Sequence, residues 1–196
     1  GVLPRGRGSR CGRRHHGGDR AERGRGASPK RILPASMAGD EPALRRTFEQ
    51  LHLPACCEVL AGHSTIVIDG AHNAAAAASL SSTIRSIRAG RRTILLISLP
   101  REKEVEPIIR HLADAGADEA IFTRYREDRA AAPEELADIW RSCTPAAVEI
   151  VTDPDDAFHR AVQRAGPQGL VVVTGSLEFG GYCRPLAQAA VSQVVA

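Results

Sequence analysis

The residues best placed to do chemistry lie directly after a short apolar run. Ile66–Ile68 is followed by Asp-Gly-Ala-His-Asn at positions 69–73. A carboxylate at a strand end, a glycine turn and polar residues at a helix start suit a phosphate or nucleotide, because the first helical N–H groups attract anions. Asp69 is a candidate for ribose hydroxyls or a metal-bound phosphate, and His72 for a phosphate or carboxylate. Taken singly, Asp69 also fits a helix cap and His72 a packed histidine.

Two further polar segments follow apolar runs. Val171–Val173 leads into Thr174, Gly175 and Ser176, whose hydroxyl and backbone N–H groups suit a carboxylate or phosphate. A plain strand-to-helix connection explains them equally well. The third segment ends at Lys103, which offers an ammonium group to a carboxylate but also fits a solvated lysine in a charged turn.

Several familiar signatures are missing from the sequence. It contains no GxxxxGK[ST] phosphate loop, no GxGxxG after an apolar run and no GxSxG elbow. The five cysteines form no CxxC pair and the histidines lack metal-ligand spacing, so we predict neither a metal site nor a disulfide framework. No apolar run approaches the roughly 20 residues that cross a bilayer. We therefore expect a reducing, cytoplasmic setting without membrane contact.

Alternating strands and helices must position the three polar segments. The strand-length runs are almost continuously apolar, which favours a mostly parallel sheet covered by helices on both faces. This pattern predicts a doubly wound α/β domain, in which ligands bind at the carboxyl ends of the strands. The predicted strands are Glu58–Ala61, Thr65–Ile68, Thr93–Ile97, Ala120–Phe122, Val148–Val151 and Leu170–Val173, and the predicted helices are Pro42–Leu51, Ala74–Ile87, Glu102–Ala113, Pro133–Arg141, Asp155–Arg164 and Arg184–Val194.

Residues 1–40 differ from the rest in composition. They are rich in glycine and arginine, and residues 1–31 hold ten of the 26 Lys and Arg residues but only two acidic ones. We expect a disordered tail, because so few apolar residues cannot offset the chain entropy. A nucleic-acid-binding arm is the alternative, although no Phe or Tyr is interleaved to stack on bases. Residues 41–196 form the predicted α/β domain.

The ordered run of motifs resembles the C-terminal domain of folylpolyglutamate synthase/dihydrofolate synthase, in the Mur ligase superfamily. Asp69–Asn73 is similar to the family's "DGAHN", and Thr174–Leu177 to its "TGSL". Arg129–Leu136 resembles "RA…P.EL", and Arg101–Glu104 lies where the family has a "DKD"-like element. The likeness spans about residues 41–196 and implies a Rossmann-like domain.

The resemblance implies an ATP-dependent, amide-forming ligase. Such enzymes activate a pteroate or folate carboxylate as an acyl phosphate, which the amino group of glutamate then attacks. In that family a larger N-terminal domain carries the phosphate loop, the Mg²⁺ ligands and most of the folate site, so this chain would be incomplete alone. The positions implied by the resemblance are Asp69 and Asn73 for ATP, His72 for catalysis near the γ-phosphate or the incoming glutamate, and Lys103, Thr174 and Ser176 for the glutamate carboxylates.

Some positions depart from the family pattern. Cys56 stands where the family's "PGR" has an arginine that contacts ATP, so a bidentate phosphate ligand is missing. Asn73 is followed by Ala74 instead of proline, and Glu178 replaces a tyrosine-like residue beside the expected carboxylate site. Three interpretations therefore stay open: part of a working ligase, a stand-alone or degenerate domain without ligase chemistry, and a nucleic-acid-binding protein acting through its tail.

Overall fold

Six strands and five helices occupy residues 55–126 and 128–192, the part of the chain that the computed structural model describes. The strands are β1 (Glu58–Ala61), β2 (Thr65–Ile68), β3 (Thr93–Ile97), β4 (Glu119–Phe122), β5 (Ala147–Ile150) and β6 (Leu170–Thr174). The helices are α1 (Ala74–Arg88), α2 (Val105–Ala113), α3 (Pro133–Cys143), α4 (Pro154–Ala165) and α5 (Leu177–Ser192).

The strands form one sheet in the order β1–β2–β6–β3–β4–β5. β1 pairs antiparallel with β2, and the other neighbours are parallel. Helices α1, α2 and α3 pack on one face, whereas α4 and α5 pack on the other. The helix after β2 and the helix after its neighbour β6 therefore lie on opposite faces of the sheet. Open α/β sheets bind ligands at the strand ends where this change of face occurs. The predicted doubly wound, mostly parallel fold is confirmed.

Successive strand residues supply the two cores. In β6, Val172 packs with α1–α3, while Val171 and Val173 pack with α4 and α5. All three side chains are fully buried, and each such burial contributes about 1.5–3 kcal/mol. Trp140 of α3 fills the first core, where its ring meets Phe122 edge-on and its indole N–H donates to a backbone carbonyl. Burial on both faces makes the sheet a rigid base for its edge loops.

The prediction for the last helix was wrong about its start. Gly180 and Gly181 indicate a loop, yet α5 begins at Leu177 and includes both. A Cβ atom on Gly180 would lie 3.0 Å from Ala55 and from Ile68, so the glycine lets the helix approach the sheet closely. The N–H of Phe179 donates to Ser176 Oγ at 3.0 Å, which satisfies one of the unpaired donors of the first turn.

Other boundaries differ by smaller amounts. Helix α2 begins at Val105, after the predicted start at Glu102, because the preceding residues form a turn in which Lys103 N donates to Pro100 O at 3.2 Å. The predicted helix over Pro42–Leu51, the tail over residues 1–40 and the domain boundary at residue 41 lie outside the described residues. None of the helices in residues 55–126 and 128–192 has the length and hydropathy of a bilayer-spanning helix.

Candidate functional site

A cleft of about 180 Å³ opens at the carboxyl edge of the sheet. The loops that follow β2, β3, β4 and β6 all contribute to its wall. It therefore lies where the sequence placed the polar segments. Its charged and imidazole side chains are His72, Lys103, Arg126, Arg129 and Glu178.

Gly175 brings the ends of β3 and β6 together. Its φ is +116°, and a Cβ atom there would lie 2.2 Å from the carbonyl oxygen of Ser98. The Ser98 N–H donates to Thr174 O at 3.2 Å, so the two strand ends stay paired up to this point. Only glycine fits such a close backbone approach. As a result, Ser176 stands next to the loop that carries Lys103.

Gly70 holds the turn after β2 against the start of α5. Its N–H donates to Ala55 O at 2.6 Å. A Cβ atom on Gly70 would lie 2.3 Å from Leu177 Cδ2, so a side chain there would displace that of Leu177. The turn that carries His72 is therefore packed against the helix that follows Ser176.

The Asp69 carboxylate also stabilises this turn. Its Oδ1 accepts from Ala71 N and its Oδ2 from Cys57 N, each at 2.9 Å. Burial raises the pKa of the Asp69 carboxyl, and the two backbone hydrogen bonds oppose that shift. Asp69 therefore stabilises the turn and does not cap helix α1, whose N-cap is Asn73. Its predicted role with ATP stays a prediction, since a carboxylate has further lone pairs.

His72 is half-buried, and its ring has a defined orientation. Its Nδ1 lies 2.7 Å from Gly70 O. A carbonyl oxygen only accepts hydrogen bonds, so Nδ1 carries the proton and Nε2 of the neutral ring is an acceptor. The imidazole also lines the cleft. This arrangement suits a group that accepts a proton from a ligand.

Asn73 caps helix α1. Its Oδ1 accepts from Ala76 N at 2.9 Å, and the residue is exposed. Together with His72 and Lys103 it lines a second pocket, of about 240 Å³, beside the cleft. The side-chain amide N–H groups remain as donors for a ligand, so the predicted ATP contact stays a prediction.

Ser176 and Lys103 line the cleft with His72, each from a different loop. Ser176 Oγ already accepts a hydrogen bond from Phe179 N, so its hydroxyl hydrogen can be donated to a ligand. Lys103 is half-buried and brings a positive charge. The structure thus brings together three of the six site residues predicted from the sequence.

Thr174 lies at the end of β6 but does not line the cleft. It is fully buried, and its Oγ1 has no hydrogen-bond partner within the described part of the chain. Its predicted contact with a glutamate carboxylate stays a prediction that this geometry does not support.

Sequence reasoning missed two arginines of the cleft. Arg126 Nη1 lies 3.0 Å from Glu178 Oε2, and Arg129 Nη1 lies 3.6 Å from Glu178 Oε1. Arg129 belongs to the "RA" motif, but the motif alone does not indicate where its side chain points. Both could have been predicted from their position in the loop after β4, because β4 must end at the same edge of the sheet.

No group of three or more His, Cys, Asp or Glu residues is placed to hold a metal ion within residues 55–126 and 128–192. The cleft has anion-binding chemistry, supplied by side chains with N–H and O–H groups.

A mostly parallel sheet with a basic cleft at its carboxyl edge defines an α/β domain whose edge carries groups suited to an anion. This chain belongs to the Mur ligase family described as "Mur ligase, glutamate ligase domain", whose model matches residues 57–177. The chain is 27% identical over 139 residues to the dihydrofolate synthase/folylpolyglutamate synthase of Bacillus subtilis (strain 168), a match that covers 71% of this chain and 31% of that protein.

Solved structures share the fold. The folylpolyglutamate synthase of Thermotoga maritima is 27% identical with a TM-score of 0.61, and the match covers 76% of this chain and 34% of that one. The Mycobacterium tuberculosis folylpolyglutamate synthase, solved with ADP and AMPPCP, is 26% identical with a TM-score of 0.61, over 74% and 34% of the two chains. The chain thus spans about a third of the length of these relatives.

Proposed function

We propose that this chain provides the glutamate-binding domain of an ATP-dependent ligase that joins glutamate to a dihydropteroate or folate carboxylate. The observation that carries the proposal is the convergence of His72, Lys103 and Ser176 on one cleft from three separate loops. Membership of the glutamate ligase domain family supports it. The remaining part of the enzyme would supply the phosphate loop and the folate site.

The three side chains match the groups of glutamate. The Lys103 ammonium and the Ser176 hydroxyl donate hydrogen bonds, as a carboxylate requires. The ammonium group of glutamate must lose a proton before its nitrogen attacks, and His72 Nε2 can accept that proton. The nitrogen then forms the amide bond to the acyl carbon, and phosphate leaves.

ATP and Mg²⁺ enter the proposal only for the complete ligase. Asp69 and Asn73 retain unused hydrogen-bonding capacity after they close the turn, so they fit secondary contacts to a nucleotide. Magnesium would bind through carboxylates and hydroxyls of the other domain and through the phosphate oxygens of ATP.

A chimera tests the proposal. This chain replaces the matching third of the Bacillus subtilis relative, and glutamate-dependent ATP hydrolysis is measured with a folate acceptor. We expect turnover above background. Ser176→Ala should raise KM for glutamate about tenfold, because a hydrogen bond to a charged group is lost. His72→Gln should lower kcat by about 100-fold or more, since proton acceptance is lost.

Matched substitutions outside the cleft serve as controls. Ser79→Ala on α1 and His159→Gln on α4 change exposed residues that do not line the cleft, and both should leave the kinetics unchanged. A folded chimera without glutamate-dependent turnover would contradict the proposal and favour a domain without ligase chemistry. Equal losses in the control and cleft variants would also contradict it.

A further inference from the structure

Glu178 occupies the cleft as a ligand carboxylate would. Each of its two oxygens faces a different guanidinium group: Oε2 lies 3.0 Å from Arg126 Nη1, and Oε1 lies 3.6 Å from Arg129 Nη1. Paired guanidinium groups are the preferred protein ligands for carboxylate and phosphate. A side chain of the protein itself thus fills an anion-binding position.

The backbone fixes the position of Arg129. Its carbonyl oxygen accepts from Arg101 N at 2.8 Å, and Ala130 forms a β-bridge with Pro100. Arg126 has a φ of +55°, in the left-handed region that residues other than glycine rarely adopt. Because Arg126 O also accepts from Ala130 N at 3.0 Å, hydrogen bonds of the described loop residues place both arginines at the cleft.

The ion pairs themselves are open to exchange. The side chains of Arg126 and Arg129 are each 52% exposed, and that of Glu178 is 54% exposed. Exposed pairs of this kind are weak, so a dissolved anion can compete with Glu178. Glu102 is 3.9 Å from Arg129, and Lys103 adds a further positive charge to the cleft wall.

We propose that Arg126 and Arg129 form a second carboxylate-binding subsite of the cleft, and that Glu178 occupies it until a carboxylate of the ligand displaces it. The identification of this ligand as glutamate rests on the proposed function. The exchange of Glu178 for an external anion does not depend on it. Glu178 then sets the affinity of the subsite by competition.

Nuclear magnetic resonance of the full chain tests this directly. Signals of the Arg126 and Arg129 Nε–H groups report on the subsite, and those of His72 and Ser176 report on the rest of the cleft. The probes are L-glutamate and inorganic phosphate, each at constant ionic strength up to about 0.1 M, which reveals binding far weaker than millimolar. We expect L-glutamate to move both arginine signals.

Charge-removing variants measure the competition. Glu178→Gln should tighten L-glutamate binding about two- to fivefold, because an exposed ion pair no longer competes. Arg129→Gln should weaken L-glutamate binding, and the double variant with Glu178→Gln and Arg129→Gln should lose the gain in affinity. Asp138→Asn is the matched control, because Asp138 is an exposed carboxylate paired with Arg141 at 2.7 Å and does not line the cleft. It should leave the affinity unchanged.

Separate signals keep the two proposals distinguishable. If glutamate moves the His72 and Ser176 signals but not those of the arginines, the subsite is refuted and the proposed function stands. If only phosphate moves the arginine signals, the carboxylate assignment is refuted. Unchanged or weaker glutamate binding in Glu178→Gln also overturns the competition. If glutamate moves the arginine signals but never those of His72 or Ser176, the subsite is supported and the proposed glutamate site is not.

Discussion

Gly175 and Ser98 stand so close together that a Cβ atom on Gly175 would lie 2.2 Å from the Ser98 carbonyl oxygen. This contact joins the ends of the two central strands at the edge where the cleft opens. The loops that carry Lys103 and Ser176 both start from it. The geometry of the cleft therefore depends on the absence of a side chain at position 175.

Gly175→Ala should destabilise the protein by at least about 2 kcal/mol, because the new methyl group forces the backbones apart and φ is +116°. Gly181→Ala is the matched control. A Cβ atom there meets nothing within 4 Å, and the residue lies in helix α5, so stability should rise by about 1 kcal/mol. Urea unfolding measures both, and a neutral Gly175→Ala would contradict the contact.

Asp69→Asn should change how stability depends on pH. Burial is the main cause that raises the folded-state pKa of Asp69 above its ordinary 3.8, so folding favours the protonated carboxyl. This contribution is fully present below the ordinary pKa and is lost as pH rises through the folded value. The free energy of unfolding of the wild type, relative to Asp69→Asn, should therefore fall as pH rises through this range.

The same variant also loses an acceptor for one of the two backbone N–H groups of the turn. This should cost about 1–3 kcal/mol at all pH values and speed amide hydrogen exchange at Cys57 or Ala71. Denaturant unfolding at a series of pH values separates the constant cost from the slope. A wild type that gains stability over the variant as pH rises would show that hydrogen bonding outweighs burial.

Cys56→Arg should strengthen nucleotide binding. Cys56 is exposed, and its neighbour Cys57 is hydrogen-bonded to Asp69, so position 56 lies at the turn. An arginine there gives a phosphate two parallel hydrogen bonds, and we expect ATP to bind about tenfold more tightly. Cys56→Lys carries the same charge without the planar fork and should give a smaller gain. Equal affinities of the wild type and Cys56→Arg would remove position 56 from the nucleotide site.

Thr174→Val separates two roles for this threonine. Among the described residues the buried hydroxyl has no hydrogen-bond partner, so its replacement by a methyl group should raise stability by about 1 kcal/mol. Thr93→Val is the control, because the buried Thr93 Oγ1 donates to Arg91 O at 2.9 Å and its loss should lower stability by about 1 kcal/mol. If Thr174→Val instead weakens glutamate binding, the role predicted from the sequence is right.

The chain alone should show no glutamate-dependent ATP hydrolysis, because its sequence has no phosphate loop to hold the nucleotide. We also expect ATP to bind more weakly than about 1 mM, since half a cleft offers few contacts. A coupled assay with folate and glutamate measures the first, and calorimetry the second. Turnover that Asp69→Ala abolishes, or micromolar binding, would contradict these expectations.

The sheet and its polar edge could be predicted because the relevant signals are local. Near-continuous apolar runs such as Val171–Val173 identify buried parallel strands, and parallel strands bring their carboxyl ends to one edge. His72, Lys103 and Ser176 follow such runs directly. Their convergence on one cleft is a consequence of topology.

The parts that escaped prediction depend on contacts between distant segments. Gly180 lies inside a helix that packs so closely on the sheet that a Cβ atom would come within 3.0 Å of Ala55 and Ile68, and nothing near Gly180 in the sequence signals this. Arg126 and Glu178 meet at the cleft although 52 residues separate them in the chain. Sequence spacing gives no information on such pairs.

The hydrogen bonds at Ala55 and Cys57 also determine where the polypeptide enters the sheet. Ala55 O is held by Gly70 N, and Cys57 N by Asp69, so the approach to β1 is fastened to the turn that carries His72. A domain that precedes this point in the same polypeptide would be tethered to the edge of the sheet that carries His72. Its encounter with the cleft would then be intramolecular, at an effective concentration set by the length of the intervening chain.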